Sequence, residues 1–483
     1  MKNRRVILFT KTFALCGIAL AALSMNATAQ VPFQKAFGTE GFEKGSAIRQ
    51  LSDGGFIIGG ETQSYGLTET DMLLIRTDAT GNVQWTKTYG GPEREVVNDV
   101  VQMPDRGFLF VAEKYQPNKK EGEFLTLAKT DASGNLAWKK IYDEGGNETE
   151  GFSMAATPDE NYIITGIVKK MSVVSSAFFT MSGEDQNLYL IKVDKSGNKV
   201  WSRCLNSSSG DVASTGTSVI VAKDGSYIAT GNITKAGKTD KKLEKPVESV
   251  SEDESRNMLL IKVKPDGSLA WANEYSANRI TAGFSVIEKQ EGGFLVAGIA
   301  TPDATNNVDY FIMSLAADGS LLWAKTFGGP KFDPVSDVWQ TADGGFMVSG
   351  TTHSYGAGSS DILIFKTDNS GNLLWAKTYG GESGEYGARM VLTADGIAMT
   401  GQVSMGKESF DVMLLKTDLN GNSVCWGKNA ALDSKKFPVI SRRIEGASMI
   451  GVEQGITPPN FKRADVNNIS QQSREARTKN ICP

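Results

Sequence analysis

The chain of 483 residues holds a single histidine, His353. Imidazole-based metal sites and Ser-His-Asp catalysis each need that ring at set positions as ligand or base, so one copy argues against both. What remains for chemistry is a set of polar residues at one place in a repeated pattern. Counting back six residues from the first turn of each repeat gives Ala47, Asp99, Ser153, Ser218, Ser285, Asp337 and Arg389. Asp99, Asp337 and Arg389 are candidate ligand contacts, with Arg49 and Trp339 two residues further along the same strands adding charge and stacking. The plainer reading is that Asp337 and Arg389 pair and bond strand-end amides, because buried polar groups need partners whatever their role. Hydrolysis of a glycan would require two carboxylates roughly 5 to 9.5 Å apart, and Asp99 with Asp337 is the first pair to measure.

The elements that must position these residues follow from self-similarity. The phrase Asp-x-x-Gly-x-x-x-Trp, as in Asp78 to Trp85, recurs with drift and places tryptophans at 85, 138, 201, 271, 323, 375 and 426; Trp339 stands outside the pattern. The period is about 52 residues, with two insertions. Each repeat orders an alternating stretch, a turn such as Asp53-Gly-Gly55, an apolar strand, a polar loop, a second apolar strand, the Asp-x-x-Gly turn, and a strand through Trp into Lys-x-Tyr/Phe-Gly-Gly. That is four short strands per repeat, in keeping with 52 glycines against 14 prolines.

A four-stranded antiparallel sheet cannot bury both faces alone, so copies must stack, and a ring removes the exposed ends of an open stack. The expectation is an all-β, seven-bladed β-propeller over residues 30–432. The turn glycines supply positive φ, and the Asp side chain can bond amides of its own turn. Seven copies of Trp85, Trp138, Trp201, Trp271, Trp323, Trp375 and Trp426 mean scaffold, each ring on an outer strand covering the flank of the neighbouring blade. The turn acids Asp78, Asp131, Asp194, Asp368 and Asp418 lack the spaced carboxylates of an EF-hand, and Lys264 and Ala316 replace the acid in two repeats, so no metal is expected. Phe33-Gln-Lys-Ala-Phe37-Gly38 matches Trp85 to Gly90 with Phe for Trp. The chain therefore begins on an outer strand, which joins the last blade and latches the ring; an eighth blade built partly from the tail is the alternative.

Two insertions, about Val168 to Asn187 and Asn232 to Asn257, fall between the second and third strands of adjacent blades and belong on one face. The first contains Val173, Val174, Phe178, Phe179 and Met181, apolar residues that could pack or meet a partner; the second is charged and reads as disordered. Bland surface decoration is the plainer account of both. His353-Ser-Tyr355-Gly matches Gln63-Ser-Tyr65-Gly of the first repeat, which a shared loop shape explains.

Residues 1–29 carry Lys2, Arg4, Arg5 and Lys11, an apolar run from Phe13 to Leu23, and Ala27-Thr28-Ala29, the pattern of a cleaved secretory signal. The run is far short of the roughly 20 residues needed to span a bilayer. Cys16 raises lipidation as a minor alternative. The whole chain has 51 basic and 55 acidic residues; without the four basic residues of the leader the remainder carries a net charge of −8, which disfavours nucleic acid. A basic extension, 433–483, follows the repeats, with Pro458-Pro459 and little periodicity; Ser470 to Lys479 is its one candidate helix. It could pack outside the ring or reach a partner as a basic arm. The remaining cysteines are Cys204, Cys425 and Cys482. A Cys425–Cys482 pair would staple a weakly apolar tail to the body, and three unpaired thiols are the alternative.

These motifs resemble those of secreted bacterial β-propeller repeat proteins, whose blades read Asp-x-x-Gly-Asn-x-x-Trp-x-Lys-x-Tyr-Gly-Gly and Asp-Gly-Gly-Phe, over residues 31 to 430. They are also similar to a relaxed tryptophan-docking repeat of quinoprotein dehydrogenases, with one residue fewer between Asp and Gly. The second resemblance would imply pyrroloquinoline quinone with calcium. The vicinal cysteine pair of many such sites is missing and no set of cofactor ligands is recognisable, so only the fold is carried over and no cofactor is expected. The first implies a periplasmic or extracellular envelope protein. Together they lead to an exported, non-enzymatic binding or scaffold propeller that holds a protein or glycan on its insertion-bearing face. A glycan-acting hydrolase or lyase, or a quinoprotein with a site at the axial opening, is the alternative.

Overall fold

In the computed structural model the described residues are 31–480, apart from 40, 65–68, 92, 116–122, 146, 170–185, 207–211, 236–255, 278, 303–306, 407–408, 452–469 and 474–476. Strand β1 (Phe33–Gly38) precedes blade 1, formed by β2 (Glu43–Gln50), β3 (Phe56–Thr62), β4 (Asp71–Thr77) and β5 (Val83–Gly90). Blade 2 is β6 (Arg94–Gln102), β7 (Phe108–Tyr115), β8 (Phe124–Thr130) and β9 (Leu136–Tyr142); blade 3 is β10 (Glu148–Ala156), β11 (Tyr162–Lys169), β12 (Gln186–Val193) and β13 (Lys199–Asn206). Blade 4 is β14 (Val212–Val221), β15 (Tyr227–Lys235), β16 (Arg256–Val263) and β17 (Leu269–Ser276); blade 5 is β18 (Thr281–Glu288), β19 (Phe294–Ala300), β20 (Asp309–Leu315) and β21 (Leu321–Gly328). Blade 6 is β22 (Val335–Gln340), β23 (Phe346–Thr352), β24 (Asp361–Thr367) and β25 (Leu373–Tyr379). Blade 7 has β26 (Glu385–Thr393), β27 (Gly396–Gly406) and β28 (Ser409–Asp418), and takes β1 as its fourth strand, antiparallel to β28.

The architecture is the expected seven-bladed β-propeller, closed in blade 7 by the N-terminal strand. Each junction buries its own apolar cluster between the facing sheets. Between blades 2 and 3, for example, Leu109, Val111, Leu125 and Leu127 pack on Met154, Ile164, Tyr189 and Ile191. No blade could hide such a face alone.

The repeated motif forms a clasp from each blade to the next. The turn glycines sit at positive φ, as at Gly197 (+73°), and a Cβ there would strike the aromatic ring of the preceding blade. Phe33 covers Gly81, Trp85 covers Gly134, Trp138 covers Gly197, Trp201 covers Gly267, Trp271 covers Gly319, Trp323 covers Gly371 and Trp375 covers Gly421. Tyr89, Tyr142, Tyr275 and Tyr379 donate their hydroxyls to the carbonyls of Gly134, Gly197, Gly319 and Gly421. Lys35, Lys140, Lys325 and Lys377 donate to the amide oxygens of Asn82, Asn198, Asn372 and Asn422. The turn Asp accepts from its own loop, as Asp78 does from the amides of Thr80 and Asn82.

Three expectations are corrected. Trp426 lies outside any strand, because β1 with Phe33 already fills the outer position of blade 7 and the chain leaves the sheet after Asp418. Each blade has its four expected strands, and every blade but blade 2 gains a fifth from the extension. The extension runs backwards around the rim as β29 (Lys428–Asn429) on blade 6, β30 (Asp433–Lys436) on blade 5, β31 (Ile440–Arg443) on blade 4, β32 (Ser448–Gly451) on blade 3, β33 (Ser470–Ser473) on blade 1 and β34 (Arg477–Asn480) on β1 of blade 7. Ser470 to Lys479 therefore contributes two short strands where a helix was expected, and the tail builds no eighth blade. The physical reason is the open row of N–H and C=O groups on each outer strand, which templates any extended chain laid along it. Both insertions lie mainly outside the described residues, as do the leader with Cys16, and Cys482.

Candidate ligand-binding site

All seven residues of the axial series lie on innermost strands. Each such strand carries a bulge just before or at that position, as between Val97 and Asp99 and between Val335 and Asp337, and a bulge re-aims side chains. Asp99 is buried. Its Oδ1 pairs with Arg49 Nη2 of blade 1 at 2.6 Å and accepts from Val100 N, while Oδ2 accepts from Met154 N of blade 3 at 3.0 Å. Asp337 repeats the arrangement: Oδ1 accepts from Ser285 Oγ of blade 5 at 2.7 Å and from Val338 N, and Oδ2 accepts from Met390 N of blade 7 at 3.2 Å. Arg389 Nη1 stands 3.9 Å from Asp337 Oδ1. Ser153 Oγ accepts from Val219 N of blade 4, and Trp339 Nε1 donates to Met390 O.

The geometry thus brings Arg49 to Asp99, and Trp339 and Arg389 to the Asp337 junction. It does not unite the two sets, which sit on blades 2 and 6 with blades 1 and 7 between them on the shorter side. Each carboxylate bridges neighbouring blades.

The face bearing the second-to-third-strand loops and the blade connections carries groups the axial count did not reach. At blades 2 and 3, Lys169 Nζ lies 2.7 Å from Glu123 Oε2, 2.8 Å from Glu150 Oε1 and 3.9 Å from Glu148 Oε2. Burial, with a hydrogen bond to Glu123, pushes the Glu150 carboxyl well above the ordinary range, against the pull of the Lys169 ammonium. Burial would raise Glu123 too, but the bonds from Glu150 and Lys169 outweigh it and hold its carboxyl below the ordinary range. The sequence signal was the Glu148-Thr-Glu150 spacing at the start of an innermost strand, with Glu148 opposite Lys169 at the edge of an insertion.

On the same face, across blades 6, 7 and 1, five side chains form an arc. Phe332 and His353 have ring centroids 5.9 Å apart, His353 and Tyr386 6.3 Å, Tyr386 and Phe410 6.4 Å, and Phe410 and Phe42 6.0 Å. All five are half-buried. The innermost strand of blade 7 supplies Tyr386 and its third strand Phe410. Phe42 and Phe332 end the connections into blades 1 and 6, and His353 opens the loop after β23. His353 N donates to Phe332 O, and its Nδ1 lies 3.0 Å from Ser359 O. The rings are tilted 43° to 67° to one another, and Phe42 meets Phe410 edge-on.

No family model and no curated protein matches the chain. Several solved structures are similar in fold. Sqt1 from Chaetomium thermophilum aligns at 11% identity and a TM-score of 0.43, over 79% of this chain and 97% of that one. A Dyadobacter fermentans protein aligns at 10% identity and a TM-score of 0.43, over 68% and 99%. The α-L-arabinofuranosidase Arb93A of Fusarium graminearum aligns at 11% identity and a TM-score of 0.42, over 81% and 99%. These likenesses bear on neither activity nor ligand.

Proposed function

We propose that the protein is an exported, non-enzymatic binding propeller of the cell envelope that holds a glycan against its loop face. The observation that carries this reading is the half-buried aromatic arc from Phe332 to Phe42. Asp99 and Asp337 are engaged in joining blades, whereas these rings keep part of their surface in water, and His353 Nδ1 lies 3.0 Å from Ser359 O at their edge. Apolar ring faces combined with a few placed polar groups are what a small or extended organic ligand requires, and a sugar presents C–H faces to the rings and hydroxyls to the rim.

Glycan hydrolysis is less well supported. It needs two carboxylates about 5 to 9.5 Å apart with the sugar between them. Glu123 and Glu150 are hydrogen-bonded to each other and share the Lys169 ammonium, so no sugar fits between them. The test is binding of soluble envelope and plant-type polysaccharides by calorimetry to the wild type and to Tyr386→Ala/Phe410→Ala. A tenfold or greater loss in the double variant is expected. Equal affinity in both proteins would remove the arc as the site, and glycan binding that survives there but is lost on removing residues 170–185 would move the site to the insertion.

A further inference from the structure

We infer that the extension is a belt closed covalently around the propeller by a Cys425–Cys482 disulfide, formed only after the belt has completed its circuit. Cys425 is disulfide-bonded and exposed, and Cys204 is a buried thiol. The belt leaves the ring beside blade 7, where Cys425 Sγ lies 2.6 Å from Gln34 Oε1 and Gln34 Nε2 donates to Ser423 Oγ at 3.0 Å. It visits blades 6, 5, 4, 3 and 1 and returns to blade 7, where Lys35 faces Asn480 and Ala36 faces Lys479 in the antiparallel β1–β34 ladder. In the sequence Cys482 follows Asn480 by two residues. The outward and returning ends of the belt thus meet at one point of one strand.

The belt has a physical need for such a closure. Its strands are two to four residues long. β31 is exposed throughout, with Ile440 71% accessible. Among its described side chains few are buried; Phe437, against Phe311, is one. Short edge ladders fray from the free end, and that end is β34, which covers β1, the strand whose pairing to β28 closes the ring. A bond at Cys482 ties down the place where unzipping would start.

The step is a thiol–disulfide exchange. The Cys425 thiolate attacks the disulfide of an exported dithiol oxidant, and the Cys482 thiolate then displaces that protein from the mixed disulfide. The new S–S bond is made, two protons and two electrons pass to the oxidant, and its disulfide becomes a dithiol. Because 56 residues of chain lie between the two cysteines and run round the ring, the exchange reports a finished fold.

Trypsin digestion of the alkylated, unreduced full-length protein should release residues 417–428 linked to 480–483, a pair that disappears on reduction. Any other cysteine in that pair, or Cys425 already alkylated before reduction, overturns the assignment. Hydrogen exchange then tests the latch. In Cys425→Ser, and in wild type treated with dithiothreitol after folding, amides of β33 and β34 should exchange at least tenfold faster while β3 and β7 keep their protection. Cys204→Ser should match wild type. Equal protection of β33 and β34 with and without the disulfide overturns the latch, and the dithiothreitol arm decides it should the variant not fold.

Discussion

The clasp predicts that two glycines with the same backbone conformation differ in what a single methyl group costs. Gly197 has φ +73° and Gly225 has φ +80°. A Cβ on Gly225 meets nothing within 4 Å, whereas one on Gly197 would stand 2.6 Å from the Trp138 ring of the preceding blade. Holding an L-residue in the left-handed region costs about 1–2 kcal/mol, so Gly225→Ala should lose about that much. Gly197→Ala carries the same strain and in addition overpacks a buried contact, typically about 1–3 kcal/mol. Its expected loss is about 2–5 kcal/mol. Urea unfolding at matched slope measures both. Trp138→Leu removes the obstructing ring, so Gly197→Ala introduced there should cost no more than Gly225→Ala, a coupling that a double-mutant cycle isolates. Equal losses for the two glycine variants, or a coupling near zero, would refute the account of the tryptophans as lids over the next blade's turn.

Tyr142 donates to Gly197 O at 2.7 Å, and Phe327 occupies the matching place in blade 5 without a hydroxyl. Tyr142→Phe should therefore fold and lose about 1 kcal/mol in urea unfolding. Burial pushes the Glu385 carboxyl up to about 7, with the charge of Asp361 adding to the shift and the Gly381 amide opposing it. Between its ordinary value of 4.5 and 7 the folded state keeps a proton that the unfolded chain has lost, so stability should fall as pH rises through that window. Glu385→Gln should flatten that slope in thermal melts from pH 4.5 to 8, and an unchanged slope would count against the shift. Asp99→Ala strands Arg49 and the Met154 amide together; a destabilisation of about 1–3 kcal/mol without loss of glycan binding is expected. Loss of binding at unchanged stability would return Asp99 to the ligand.

The period, the turn chemistry and the closing role of Phe33 to Gly38 were legible in the chain alone, because they depend on neighbours a few residues apart and on repetition. A glycine that must turn, an aspartate that caps its own loop and strands of fixed spacing imply a sheet that cannot stand alone. The seventh tryptophan was misleading for the same reason: Trp426 continues the motif, but its place was already taken by a strand some 390 residues earlier in the chain. The extension has weak periodicity since its strands answer to the exposed edges they lie on and not to an apolar pattern of their own. The grouping of Glu123, Glu150 and Lys169, and of five aromatic side chains from three blades, depends on which loops the closed ring sets side by side. Local preference along the chain determines the blade; distances between residues far apart in sequence exist only once the ring has shut, and the tertiary structure alone decides those.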